Sequence, residues 1–375
     1  MLSALKSTAI IIFMVGDVML GRGIDQILPQ PSDPVIYEPY LKDARDYVLL
    51  AEQSSGPIPR VVDISYLWGD ALGVLQRIEP DLRLINLETA VTTSDTPWPG
   101  KGINYRMQPA NLGVLSGAGI DACSLANNHV LDWGRAGLRE TLTSLKTAGV
   151  NCAGAGQQLE QARAPAVFEL PPRGRVLLFA YGHPSSGTPP EWAATDKQSG
   201  INLLPDLSDT SVHRIAEQVA AVKAANDLVL FSIHWGGNWG YPIPAAFRRF
   251  AHRLIDEAGI DIIHGHSSHH VMGIEVYRDR PILYGCGDFI NDYEGIGGKE
   301  AYRAELGLMY FVSSDPQTGR LLELRMVPTR LKQFRLQRAS RKETDWLVET
   351  LNREGKQLGT RVVTAGNGDL LLQWD

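Results

Sequence analysis

The amino-acid sequence predicts an α/β layered fold, and three observations support it. Short apolar runs recur at residues 10–15 (IIIFMV), 82–87 (LRLINL), 120–125 (IDACSL), 176–181 (VLLFAY), 228–233 (LVLFSI) and 260–263 (IDII). Most show little polar alternation, as expected of strands buried on both faces. Helical spacing appears between several of them, and strand alternating with helix argues for a layered α/β domain. Finally, five of the runs end on Asp, Glu, Asn or His, the place where α/β sheets bind ligands.

The elements follow in order. Residues 10–15 read as a first buried strand. Lys6 and the run from Thr8 give this end some likeness to a signal peptide, but the run is too short to span a bilayer. Gly16-Asp17 follows it instead of a small-residue cleavage site. Residues 137–148 carry Leu138, Leu142 and Leu145 at helical spacing, with Gly149 as a stop. Residues 212–225 and 244–258 read as two more amphipathic helices. From Gly273 the pattern changes to strands at 274–277, 281–284, 308–312 and 321–327, expected to form a second, mixed sheet. A helix at 343–354 and a strand near 370–373 close the chain. Segments 26–68, 92–109 and 182–205 read as long loops. The first carries six prolines. Loops of this length cover a site or are plain insertions. The expected organisation is one domain over 1–375, with a core at about 8–330 and segment 340–375 packed on it.

Composition narrows the function classes. The chain has 375 residues, 44 % hydrophobic and 21 % charged, with net charge −6. No basic surface suggests nucleic acid, and no basic run suggests a membrane patch. Three scattered cysteines imply no disulfide framework, so a reducing compartment fits. The expectation is a soluble, cytoplasmic protein without stable membrane insertion.

The strand ends supply the candidate chemistry. Asp17 follows the first strand, and Asn86 and Glu88 stand at the second. Asn127, Asn128, His129 and Asp132 follow the third, and His234 ends a later run. The stretch DIIHGHSSHH at 261–270 places four of the nine histidines within seven residues. Carboxylate, amide and imidazole donors without thiolate suit Mn, Fe, Co or Zn. So many donors exceed what one ion needs; two ions about 3.5–4 Å apart with a shared carboxylate would use them. Each residue has a plainer alternative. Asp17 could cap a turn, Glu88 could be a loop charge, Asn127 and Asn128 are good turn formers, and His234 could be a core histidine. In the cluster His266 is taken as a ligand, with His264 and His269 as rivals for the next place. His270 is left out.

Together the stretches GDVMLGR (16–22), NLET (86–89), NYR (104–106), ANNHVLDWG (126–134), GAG (154–156), IHWG (233–236), GHSSHHV (265–271), GIE (273–275) and LYGCGDF (283–289) resemble the CapA/PgsA family of poly-γ-glutamate capsule synthesis proteins. That family is similar in fold to the calcineurin-like metallophosphoesterases. The resemblance implies a four-layer α/β/β/α sandwich of the metallophosphatase type, with two mixed sheets and a two-metal site at one edge. It implies Asp17, Asn128, His234 and His266 as ligands, Glu88 in place of the usual bridging aspartate, and His129 as general acid or transition-state contact. His269 or His264 would complete the ligand set. The chain departs from the phosphoesterase pattern at Met19, at Asn86-Leu87-Glu88 and at Gly265-His266-Ser267-Ser268-His269, which leaves one metal position short of a ligand.

The expected function is a metal-dependent hydrolase, with activated water attacking a phosphoester or γ-glutamyl amide. His129 would protonate the leaving group, with Asp132 also in the catalytic set. Arg106, with Arg22, Tyr105 and Asn86, would hold an anionic or peptide-like substrate, since a guanidinium fork suits phosphate and carboxylate. Two alternatives stand beside it: a metal-dependent acid/base enzyme acting on a peptide, as an epimerase or transferase, and a non-catalytic component of capsule assembly.

Overall fold

A computed structural model describes residues 9–375. Lys6 and Thr8, on which the signal-peptide likeness rested, lie outside the described residues. In chain order the main strands are β1 (Ile10–Val18), β2 (Leu82–Leu87), β3 (Ala122–Ser124), β4 (Asn151–Ala153), β5 (Ala166–Glu169), β6 (Arg175–Gly182), β7 (Asp227–His234), β8 (Ile262–His266), β9 (Ile274–Tyr277), β10 (Arg280–Leu283), β11 (Asp288–Ile290), β12 (Leu306–Ser314), β13 (Leu321–Lys332), β14 (Arg335–Arg338), β15 (Thr360–Thr364) and β16 (Leu370–Trp374). The longer helices are α1 (Arg45–Ser55), α2 (Asp70–Ile78), α3 (Gly134–Thr147), α4 (Asp209–Ala220), α5 (Ala245–Ala258) and α6 (Arg341–Gly355).

These strands form two mixed sheets. The larger runs β15-β16-β13-β12-β1-β2-β3-β4, with β11 also on β1 and β14 on β13. The smaller runs β9-β10-β8-β7-β6-β5. Burial explains why the runs lack alternation. In β6, Val176, Leu178 and Ala180 join the large core cluster that also holds β1, β2 and β12. Leu177, Phe179 and Tyr181 point the other way, to Val212, Ile215 and Val219 of α4 and Phe250 and Leu254 of α5. A strand covered by a sheet on one face and helices on the other must be apolar on both. The large cluster also takes in Val74, Leu75 and Ile78 of α2 and Leu138, Leu142 and Leu145 of α3. The architecture is the α/β/β/α sandwich. Leu347 and Leu351 of α6, Val362 of β15 and Leu370 of β16 join the same core.

Two expectations need correcting. The strands after Gly273 do not form a sheet of their own. β10 pairs in parallel with β8, and β9 forms a hairpin with it at the edge of the smaller sheet. β12 lies antiparallel on β1 and carries β13 outward in the larger sheet. Which open sheet edge a strand fills depends on distant partners, not on its own residues. Segment 26–68 is also not all loop: it contains α1, whose buried Tyr47, Val48 and Ala51 form a narrow stripe between the flanking prolines.

Candidate metal centre

The site is assembled by strand register. At its end β1 pairs on both sides, so the partners of Asp17 are Asn86 of β2 and Asp288 of β11. Gly16 makes this approach possible: a Cβ there would lie 1.9 Å from the Gly287 carbonyl oxygen. In the smaller sheet His234 pairs with His266, and Ser232 with His264. The two-residue strand period sets Ser232 and His234 on one face, and likewise His264 and His266. The carboxyl ends of both sheets meet at one edge, where His266 Nδ1 comes 4.0 Å from Asp17 Oδ1.

Two sets of side chains there could each hold a metal ion: Asp17 with His234 and His266, and Asp17 with His269 and Asp288. Within each set the ligand atoms all lie within 4.8 Å of one another. Asp17 belongs to both. Glu88, expected as the bridge, has Oε1 3.6 Å from His234 Nε2 of the first set and feels the charges of Asp17 and Asp288.

A hydrogen-bond relay sets the imidazole tautomers. His264 Nε2 lies 2.8 Å from the Val15 carbonyl oxygen, which can only accept, so Nε2 carries the proton. Its Nδ1 then accepts from the Ser232 hydroxyl at 3.1 Å. The same oxygen accepts from His266 Nε2 at 2.9 Å. His266 Nδ1 is therefore left with a lone pair. Likewise His234 Nε2 donates to Asn128 Oδ1 at 3.1 Å, leaving a lone pair on Nδ1. These two Nδ1 atoms stand 2.7 Å apart. Two lone pairs that close repel unless a proton or a cation is shared by both. His264 thus sits behind the ligands, with both nitrogens engaged, and aims His266 as partners of metal-bound histidines do.

The electrostatics agree. Burial, then the charge of Asp288, raises the Asp17 pKa to about 7. Burial, then Asp17, pushes Glu88 well above the usual carboxylate range. Burial also pushes His234 and His266 well below the imidazole range, helped by neighbouring imidazoles. For His269 burial works the same way, but the charge and hydrogen bond of Asp288 outweigh it and raise the pKa. Asp17 Oδ2 and Glu88 Oε2 are buried without a hydrogen-bond partner among the described residues. Crowded carboxylates beside neutral imidazoles form a donor set that a divalent cation satisfies. The residues present fit a metal.

Other residues singled out from the sequence take supporting places. Asn86 Nδ2 donates to Asp17 Oδ1 at 2.7 Å, and Asn127 Nδ2 donates to Asn86 Oδ1 at 3.0 Å. His129 Nδ1 lies 2.7 Å from Asp132 Oδ2, which also accepts from the Tyr105 amide at 2.7 Å. The Tyr105 ring stacks on His129 at 3.9 Å. The two arginines are not available to a substrate anion. Arg22 is buried, with NH1 on Glu38, Nε and NH2 on Asp292, and its guanidinium 3.7 Å from the Tyr47 ring centroid. Arg106 donates to the Ser94 and Asp33 carbonyls and stacks on Trp133 at 3.9 Å. Both tie loops down.

Sequence reasoning missed four contributors. Asp288 repeats the Gly-Asp pattern of Gly16-Asp17, a signal that could have found it. Ser232 is a lone hydroxyl inside an apolar run. Lys101 Nζ lies 3.2 Å from Asp132 Oδ1, brought there by segment 92–109. Asp292 anchors Arg22. Segments 92–109 and 182–205 also meet, with Trp98 against Trp192 at 5.5 Å.

The model of the family described as "Bacterial capsule synthesis protein PGA_cap" matches residues 11–293. A probable polyglutamine synthesis accessory protein of Mycobacterium tuberculosis is 47 % identical over 354 residues, covering 94 % of this chain and 93 % of that protein. The capsule biosynthesis protein CapA of Bacillus anthracis is 25 % identical over 282 residues, 74 % of this chain and 59 % of that one. The PGA biosynthesis protein CapA of Bacillus subtilis is 25 % identical over 279 residues, 74 % and 62 %.

Proposed function

The chain belongs to the bacterial capsule synthesis protein family PGA_cap, and on that premise we propose that it is a metal-dependent hydrolase of a phosphoester or γ-glutamyl amide. The observation that supports it most is Asp17, shared by two ligand sets, with His129, paired to Asp132, close enough for its charge to act on His234. Mn, Fe, Zn or Co ions suit these donors, two at full occupancy, and when bound they supply Lewis-acid polarisation and a more acidic water.

The chain's own residues do the rest. Asp132 accepts from His129 Nδ1, so Nε2 keeps the lone pair. Burial pushes the His129 pKa down to about 4, so the ring is neutral at pH 7. A neutral ring takes a proton before it gives one. Nε2 removes a proton from water as the new O–P or O–C bond forms. It returns that proton to the leaving oxygen or nitrogen as the old bond breaks. Lys101 and the Tyr105 amide fix Asp132 from two sides. The substrate is an anionic or peptide-like molecule, and we place the protein in the cytoplasm. Supporting that placement, Cys123, Cys152 and Cys286 are free, and no helix among the described residues is long and apolar enough to cross a membrane.

The test is a panel of p-nitrophenyl phosphate, bis-p-nitrophenyl phosphate, γ-glutamyl-p-nitroanilide and an ordinary peptide p-nitroanilide, with each metal in turn. One class should turn over, and His129→Ala should lower kcat by about 10²–10⁴-fold at unchanged metal content. The name of the mycobacterial relative, an accessory protein, favours a second reading as a non-catalytic partner in polymer synthesis. No metal-dependent turnover of any probe would favour that second reading, whereas a His129→Ala variant at the wild-type rate would remove His129 from the mechanism.

A further inference from the structure

A cavity of about 400 Å³ opens beside His269 and runs past Trp239 to Leu331. It is of the size that holds a small ligand. Its near end is part of the metal edge, since His269 belongs to the set with Asp17 and Asp288. Beyond His269 part of the wall is aromatic and aliphatic. The Trp239 ring lies 5.3 Å from that of His269, and Ile296, Ala304 and Leu331 continue the lining. Asn238 and Asn291 also line it, the Asn291 side chain being engaged with Asp288 Oδ2 and the Tyr293 N–H.

The charges in this lining decide what can enter. Three carboxylates line the cavity: Glu294, Glu300 and Glu305. Against them stand Lys299 and Arg330; Arg330 is held by Glu343 at 2.9 Å and Glu305 by Arg303 at 2.7 Å, which leaves Glu294 and Glu300 against Lys299. Lys299 lies over the Trp239 ring, 5.7 Å from its centroid. A chain of carboxylates entering here would meet more negative charge than positive, in a partly dehydrated cleft where mismatched charge is costly. An uncharged group with an apolar face and amide hydrogen-bonding capacity meets no such barrier and gains stacking on Trp239.

We propose that this cavity seats an uncharged, partly apolar group of the substrate, next to the bond that is cut, and that the anionic part of the substrate lies outside it. The assignment rests on the reading of the Asp17 cluster as the reacting centre. It gives the substrate two unlike halves, a neutral one held at Trp239 and a charged one held elsewhere along the edge.

Binding of two probes to the full-length, metal-loaded protein tests it, followed by calorimetry and saturation-transfer NMR. The probes are N-acetylphenylalaninamide, which is uncharged, and tri-γ-glutamate, a polyanion. The uncharged probe should saturate. Trp239→Ala, which removes the stacking surface, and Ala304→Trp, which fills the space, should each weaken it about tenfold. Tri-γ-glutamate should be insensitive to Ala304→Trp. No saturation by the uncharged probe, equal affinity in wild type and both variants, or tri-γ-glutamate binding lost in Ala304→Trp would each overturn the assignment. Turnover in the same samples reports on the hydrolase reading separately. Probe binding without turnover sinks only catalysis, and turnover without probe binding sinks only the cavity.

Discussion

The two ligand sets that share Asp17 are built differently. His234 and His266 are fully buried and come from adjacent parallel strands; His266 is locked by a relay through Ser232 and His264, and His234 by Asn128. His269 lies past the end of β8, is partly exposed and borders a cavity. Its Nδ1 is tied to one carboxylate, Asp288, at 2.9 Å. The first set is held by sheet register. The second is held by a turn and by β11, a strand of three residues. Preorganised donors lose little freedom on binding an ion, so the buried set should hold metal tightly and the open one should exchange it.

The largest expected effect is at the shared residue. Asp17→Asn should weaken binding at both positions by about 100-fold or more, judged against the 10–100-fold effects of outer-shell changes. Elemental analysis after gel filtration would read it; retention of both ions would break the comparison outright. Next, His234→Ala should remove the slowly exchanging ion, while His269→Ala should remove only the fast one. Exchange with a radioactive or spectroscopically distinct ion separates the two, and identical kinetics in both variants would mean the sets are equivalent.

A smaller effect follows from the relay. Ser232→Ala cuts the hydroxyl that links His264 to His266 and should cost about tenfold in affinity at the buried position only. A loss at the open position instead would show that the relay does not act locally. The smallest effect is on stability. Burial holds the His264 pKa at about 4, below its unfolded value of about 6.5. A depressed folded pKa means the unfolded chain binds the proton first, so this stabilisation is complete above pH 6.5 and is lost as pH falls toward 4. In metal-free protein, His264→Gln should show a shallower loss of melting temperature across that window than wild type. Parallel curves would remove His264 as a titrating contributor.

Local pattern showed much of this and missed the rest for physical reasons. Strands such as β2 and β9 were legible to the residue because burial on one or both faces leaves a strong signature. Asp17, His234 and His266 were legible because each ends an apolar run. Membership of a sheet was not, since β10 and β12 choose partners far away in the chain. The duties of Arg22 and Arg106 were not legible either. A guanidinium that binds substrate and one that ties loops look alike until Asp292, Glu38 and the Ser94 carbonyl are placed. His264 and His266 differ only in which atoms lie opposite, the Val15 carbonyl or the Asp17 carboxylate.

The pairing of Asp17 with Asp288 also sets an order on the ribosome. The buried set is complete once β8 has emerged, because β1, β7 and β8 then all exist. The open set must wait for β11, the next stretch of chain to reach the far side of β1. Chain order therefore supplies all donors of the buried set before those of the open one. Completion of the second position is coupled to the arrival of the same strand whose Asp288 raises the pKa of Asp17, ahead of the five strands β12 to β16 that finish the larger sheet.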